Sequence, residues 1–176
     1  MMSDTMLVTY ATRYGSTREV AERIAATLRG EGLTVKVQPA KQVKTLEDYR
    51  AVVLGAPLYI GRWLKDARNF LEQHQAALTT RPVAIFTLGP TRGDENWDEE
   101  IQPQIDKELA QYPWLDPVAV ELFGGKYDPT NLRFLDKLLA ALPASPLHDL
   151  PANDLRDWDA IQAWASGLAP QLTATP

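Results

Sequence analysis

The chain of 176 residues has no cysteine. That absence removes disulfides, iron–sulfur clusters, thiol redox chemistry and cysteine-ligated zinc together, along with any cysteine-based clue to compartment. Only two histidines are present, His74 and His148. Each reads as structural or solvated, and no metal site is expected. No run approaches the ~20 apolar residues of a membrane-spanning helix. The apolar part of the N-terminus, MLVTY, is too short for a secretory signal. Positive charge is in the minority, with 18 Lys and Arg against 23 Asp and Glu and a net charge of −5. No broad basic footprint therefore points to nucleic acid. The default expectation is a cytoplasmic protein, with peripheral membrane contact left open.

Several motifs are also missing. There is no GxxxxGKS/T, which excludes a Walker phosphate loop, and no GxGxxG after the first apolar run, which argues against a Rossmann dinucleotide site. No GxSxG elbow is present, so an α/β-hydrolase fails. A receiver domain needs carboxylates at the ends of its first and third strands. Here those ends read Thr9-Tyr10-Ala11 and Gly55-Ala56-Pro57.

What is present is an alternation. Five short apolar runs, Met6–Tyr10, Thr34–Gln38, Ala51–Gly55, Val83–Leu88 and Val118–Phe123, read as buried strands. The second, TVKVQ, alternates and is placed at a sheet edge. Between them lie helical patterns: Val20, Ile24 and Leu28 with Ala21 and Ala25; Leu64, Ala67 and Leu71 with Phe70; Ile101, Ile105 and Leu109; and finally Trp158, Ile161, Ala165 and Leu168. Pro103 suggests that the third of these helices starts there rather than at Trp97. The stretch from Lys41 to Tyr49 is too short for a long element. Strands alternating with helices imply an α/β, doubly wound five-stranded parallel sheet with helices on both faces, and a ligand site beyond the carboxyl ends of the strands. One domain over 1–176 is expected, with an inserted segment at about 124–153. Within that segment Leu132, Leu135, Leu139 and Leu142 follow a 3-4-3 spacing that predicts a short helix. With Phe134 and Leu138 it carries more apolar residues than one face needs. Either both faces pack against the sheet edge and last helix, or one face docks a membrane, a quinone or a second subunit.

The loop after the first strand, TRYGST, sits where a helix N-terminus offers free N–H groups and partial positive charge. Thr12, Ser16 and Thr17 add hydroxyls, and Gly15 lets the backbone approach closely. The loop suits a phosphate held by neutral donors. Ser16-Thr17-Arg18-Glu19 also fits a capping box, with Ser16 as cap and Glu19 reaching back. Both readings stand at this level.

TRYGST resembles the lysine-free phosphate loop of the flavodoxins, which bind FMN. Carried over by position, Thr12, Ser16 and Thr17 match hydroxyl donors to the phosphate, while Arg13, Tyr14 and Gly15 match positions offering backbone N–H groups. Arg13 departs from the usual neutral loop. GAPLYIGRW matches the loop that wraps the flavin ring: Ala56, Pro57, Leu58, Tyr59, Ile60, Gly61 and Trp63, with Tyr59 or Trp63 able to stack on it and Gly61 beside N5. TLGPTRGDENW matches the loop on the other face or edge of the ring, through Leu88, Gly89, Pro90 and Thr91. The usual stacking tyrosine is missing there, which leaves one ring face open to a substrate.

Longer stretches, YATRYGSTREVAERIA, VVLGAPLYIGRW, NFLEQHQAAL, ELFGGKYDPTNLRFLDKLLAAL and DWDAIQAWASGLA, resemble the flavodoxin-type, menaquinone-dependent protoporphyrinogen oxidases and their relatives. The resemblance implies a flavodoxin-like strand order 2-1-3-4-5, FMN as cofactor, a porphyrinogen as small-molecule substrate and a quinone as acceptor. The cofactor carries the redox chemistry, so no catalytic acid or base is named. Arg62 and Arg92, with Arg13, are expected to give the flavin mouth a positive field for an anionic substrate. The alternatives are a flavodoxin-type electron carrier between proteins and an NAD(P)H-dependent quinone reductase. Homodimer formation is a further option.

Overall fold

The structure, a computed structural model, describes residues 3–89, 96–145 and 148–174. Its centre is a five-stranded parallel sheet of β1 (Thr5–Tyr10), β2 (Thr34–Pro39), β3 (Ala51–Gly55), β4 (Val83–Leu88) and β5 (Ala119–Phe123), in the order β2-β1-β3-β4-β5. Each strand falls within a residue or so of its apolar run. Their β-branched and aliphatic residues fit a sheet covered on both sides, and β3 and β4 are buried throughout. Edge strand β2 keeps Thr34 and Lys36 exposed, as its alternation predicts.

Two cores sandwich the sheet. On one face, helices α1 (Ser16–Gly30) and α6 (Trp158–Thr173) bring Val20, Ile24, Leu28, Ile161, Ala165 and Leu168 against Val8, Val53 and Phe86. On the other, α2 (Lys65–Gln73) and α4 (Trp97–Leu109) bring Ala67, Phe70, Leu71 and Ile105 against Leu7, Leu54 and Ile85. A single turn, α3 (Gln75–Leu78), follows α2. His74 is buried between these two helices, with Nε2 3.3 Å from the carbonyl of Val43 and its ring against Phe70. The stretch after β2 holds only one 3₁₀ turn, Ala40–Gln42, pinned by buried Val43, Leu46 and Tyr49.

The helix around Pro103 differs from expectation. It starts at Trp97 and runs through the proline. Proline removes one N–H, which leaves the carbonyl of Glu99 without its helical donor. Glu99, Gln102 and Pro103 are all exposed, so water can take that bond. Inward-facing Ile105 and Glu108 keep the helix docked.

After β5 the chain leaves the sheet and returns through a two-residue antiparallel pairing, Lys126–Tyr127 with Asn153–Asp154. Gly124 makes this neck possible: a Cβ there would lie 2.2 Å from the carbonyl oxygen of Leu155. Arg156 closes the junction, with Nε and Nη2 donating to the two oxygens of Asp154 at 2.8 and 2.6 Å and Nη1 donating to Glu19 of α1. The excursion carries helix α5 (Phe134–Ala141). Of the two packings open to that helix, burial of both faces is not the one formed. Phe134, Leu135, Leu138, Leu139 and Leu142 all remain exposed, and the residue α5 buries is Asp136.

Candidate functional site

A cavity of about 770 Å³ opens at the carboxyl ends of β1, β3, β4 and β5. This is where the strand order reverses between β1 and β3, the position at which doubly wound sheets bind ligands. Three walls come from loops after the strands, and the fourth comes from the inserted segment through Asn131, Leu132, Asp136, Leu139 and Leu142.

The first wall comes from Arg13, Tyr14, Ser16 and Thr17. Thr12 and Gly15 do not line the cavity, and Thr12 Oγ1 instead accepts from the N–H of Gly15 at 2.8 Å. That bond folds the loop so that Gly15, at φ 90°, becomes the N-cap of α1. A side chain at Gly15 would be strained by its left-handed backbone, although its Cβ direction points into open space. The capping box does not form. Among the described residues no side chain caps α1, and Glu19 instead pairs with Arg156. The N–H groups of the first turn have no intrahelical acceptors, so this end is bare and carries the positive pole of the helix. Thr17 Oγ1 is buried and has no hydrogen-bond partner among the described residues, and Thr17 lines the cavity with Ser16. A buried hydroxyl without a partner is costly, and an anion at this helix end would satisfy it. Thr9 Oγ1 is also unpartnered, but it lies within β1 and not on the cavity wall.

The second wall is a two-residue hairpin, Leu58–Tyr59 against Arg62–Trp63, with Ile60 and Gly61 at its tip at φ 50° and 71°. Positive φ at both central residues is the twist that tight hairpins favour. For β-branched Ile60 this conformation costs ~1–3 kcal/mol, and its side chain is 79% exposed. Pro57, Leu58, Tyr59, Ile60 and Gly61 line the cavity. Trp63 and Arg62 do not. Trp63 is buried, donates from Nε1 to Thr87 Oγ1 at 3.1 Å and stacks on Tyr112, which makes it the root of the hairpin rather than a surface for a ligand ring. Arg62 instead pairs with Glu108, a buried residue of α4, and with Gln111, each at 3.3 Å. Ala56 is fully buried, its N–H bonded to the carbonyl of Phe86.

Leu88 and Gly89 form the third wall. Pro90, Thr91 and Arg92 lie outside the described residues.

Asp136 is where the walls meet. Its Oδ2 accepts from Arg13 Nε at 2.7 Å and from the Tyr14 hydroxyl, and its Oδ1 accepts from the Tyr59 hydroxyl. The Arg13 guanidinium also lies 4.6 Å from the centre of the Tyr59 ring. The hydrogen bond from Arg13 to Asp136 holds the guanidinium pKa above its ordinary value, against the opposing pull of burial. The unusual charge of the phosphate-type loop is therefore neutralised by the insert. Sequence reasoning did not find Asp136. Its one signal was a carboxylate on the apolar repeat of 132–142.

The comparisons agree with this architecture. A protoporphyrinogen IX dehydrogenase (quinone) of Escherichia coli K12 is 24% identical over 176 residues, covering 97% of both chains. One from Leishmania major is 27% identical over 179 residues, covering 97% of this chain and 77% of its own. Among solved structures, flavodoxin 1 of Bacillus cereus superposes with a TM-score of 0.60 at 16% identity, covering 96% of this chain and 99% of its own. A flavodoxin from Archaea gives 0.56 at 16% identity over 97% and 99%. A family model described as flavodoxin domain matches residues 7–149, a span that includes the bare end of α1, the hairpin and the insert helix, and the chain belongs to that family.

Proposed function

We propose that the cavity holds FMN and that the protein is an FMN-dependent oxidoreductase, oxidising a porphyrinogen-type substrate and passing electrons to a quinone. The observation that carries the reading is the uncapped N-terminus of α1 beside the orphaned Thr17 hydroxyl. Ser16, Thr17 and the N–H groups of Arg13 and Tyr14 would hold the phosphate without a lysine, while Thr12, by accepting from the Gly15 N–H, shapes the loop. Pro57–Gly61, with Tyr59 fixed by Asp136, would flank the ring on one side. Leu88 and Gly89 would border the other.

When bound, FMN supplies the redox chemistry, accepting a hydride equivalent and releasing electrons to an acceptor. This chain's own residues bind, orient and shield. The apolar wall of Leu64, Leu88, Ile101 and Leu132 excludes water from a ring-shaped ligand. Of the arginines expected to attract an acidic substrate, Arg13 and Arg62 are engaged with Asp136 and Glu108. Lys126, exposed on the cavity rim, takes their place as the cation for a substrate carboxylate. The E. coli and Leishmania relatives, named for this reaction, support the substrate class.

A carrier reading draws on the exposed acids Asp98, Glu99 and Glu100 at the start of α4, which would suit docking to a basic protein. Anaerobic titration of the FMN-loaded protein separates the two. Protoporphyrinogen should bleach the flavin absorbance and menaquinone restore it. If neither protoporphyrinogen, NADH nor NADPH reduces it while a reductase protein does, the carrier reading wins. Equal affinity for riboflavin and FMN would sink the phosphate site itself.

A further inference from the structure

Helix α5 is built inside out. A surface helix turns its apolar stripe to the core and its charges to water. Here Asp136 is 4% exposed, while Phe134 is 74%, Leu135 68% and Leu138 52% exposed. The cause is the cluster under the helix. Arg13, Tyr14 and Tyr59 all donate to Asp136, and the N–H of Arg133 donates to the Tyr14 hydroxyl at 3.2 Å. Rolling the leucines inward would break these bonds and strand a carboxylate.

The outward face therefore combines large apolar side chains with two exposed cations, Arg133 and Lys137, and its one carboxylate is turned away and neutralised. Ile60, next to Tyr59, adds a further exposed apolar side chain at the tip of the neighbouring hairpin. This positive apolar patch sits on a chain whose net charge is −5.

We propose that α5 docks the protein flat on an anionic lipid bilayer, its apolar side chains entering the headgroup–acyl boundary and Arg133 and Lys137 meeting lipid phosphates. Charge selects this occupant over a second copy of the chain. A twofold contact sets the same patch against itself, so a face carrying Arg133 and Lys137 would meet another carrying the same two cations, with no carboxylate from α5 to offset them. Size argues the same way. Eight residues make a helix ~12 Å long and ~10 Å wide, a face of roughly 120 Å², well short of the ~800 Å² that each partner of a stable dimer buries.

Docking has a consequence for the cavity. Leu139 and Leu142 line it, yet each is about half exposed, so the insert wall of the cavity is continuous with the docked face. A reactant dissolved in the bilayer could enter there without crossing water. That consequence rests on the quinone reading above, whereas the docking rests on the helix alone.

Flotation of the flavin-loaded full chain tests it, with phosphatidylglycerol–phosphatidylcholine vesicles against phosphatidylcholine alone. The wild type should float with the anionic vesicles, less at raised salt, and not with the neutral ones. Leu135→Asp with Leu138→Asp spares the cavity lining and should weaken binding at least about tenfold. Lys137→Glu, a surface change that should not disturb folding, should weaken it about fivefold or more. Absence of wild-type binding to anionic vesicles overturns the proposal. So does unchanged binding in the double variant with flavin absorbance and melting intact, and so does a dimer by light scattering that the double variant dissociates. Vesicle binding without quinone turnover would sink the quinone reading and leave the docking standing.

Discussion

Helix α1 presses Val20, Ala21, Ile24, Ala25 and Leu28 into the core with no exposure at all and leaves Arg18, Glu22 and Arg23 in water. Helix α5 does the reverse, burying Asp136 and exposing Phe134, Leu135 and Leu138. Both border the same cavity. On α1 the apolar stripe chooses the orientation, because five buried aliphatic side chains outweigh any alternative contact. On α5 there is no sheet beneath. What lies beneath is a guanidinium and two phenol hydroxyls, and one carboxylate satisfies all three. Orientation follows whichever surface the neighbour presents, and it is the neighbour that differs.

The sharpest way to break this comparison is to truncate the same residue type on each helix. Leu28→Ala should cost ~2–5 kcal/mol of global stability, as a large-to-small change in a closed core does. Leu135→Ala should stay within about 0.5 kcal/mol. Urea unfolding of both variants measures the pair. A large loss at Leu135 would mean that α5 is covered in solution.

Next in size is the anchor itself. Asp136→Leu removes the shared acceptor of Arg13, Tyr14 and Tyr59. The expected cost is about 1–3 kcal/mol, below that of a fully enclosed ion pair because Arg13 is partly solvated. The loss should be local: hydrogen exchange should quicken across 126–154 while β1, β3 and β4 stay protected. Uniform quickening would place α5 in the global folding unit.

Thr17→Val then tests the other end of the cavity. Deleting the hydroxyl should weaken FMN by ~1.5–3 kcal/mol, the value of a bond to a charged group. The flavin-free protein should lose no stability, since that hydroxyl is buried without a partner among the described residues. Quenching of flavin fluorescence and melting of the flavin-free chain give the two numbers. A destabilised flavin-free protein with undiminished FMN affinity would make Thr17 structural.

The smallest effect is expected from pH. The hydrogen bond from Arg156 holds the Asp154 carboxyl below its ordinary value. Its contribution is therefore present above about pH 3.9 and is lost as the pH falls through the lowered value. The neck of the insert should loosen there before the sheet does, which proteolytic nicking near 126–154 would detect. Loosening on the alkaline side instead would point to a different group.

Much of this was legible beforehand. Five apolar runs became five strands in the expected order, with the alternating run at the edge. The 3.6-residue patterns of α1, α2 and α6 turned to the core as read. Of the expected site residues, Arg13, Tyr14, Ser16, Thr17, Pro57–Gly61, Leu88 and Gly89 line one cavity. These are local matters: period, turn chemistry and the free N–H groups of a helix end depend on neighbours a few residues away, and a linear reading contains those neighbours.

Other outcomes needed distant partners. Glu19 looked like a capping residue until Arg156, 137 positions away, took its carboxylate and left α1 open. Trp63 looked free to stack on a ligand until Thr87 and Tyr112 enclosed it. Pro103 looked like a helix start until the water-facing side of α4 made its missing bond tolerable. Asp136 meets Arg13 across 123 residues, and no spacing rule reaches that far. Burying a charge is favourable only where several donors converge, and convergence is a property of the folded arrangement. Composition and periodicity settled the sheet and the place of the cavity. The inward turn of one carboxylate, and with it the outward turn of the leucines, came from which loops the completed sheet brought side by side.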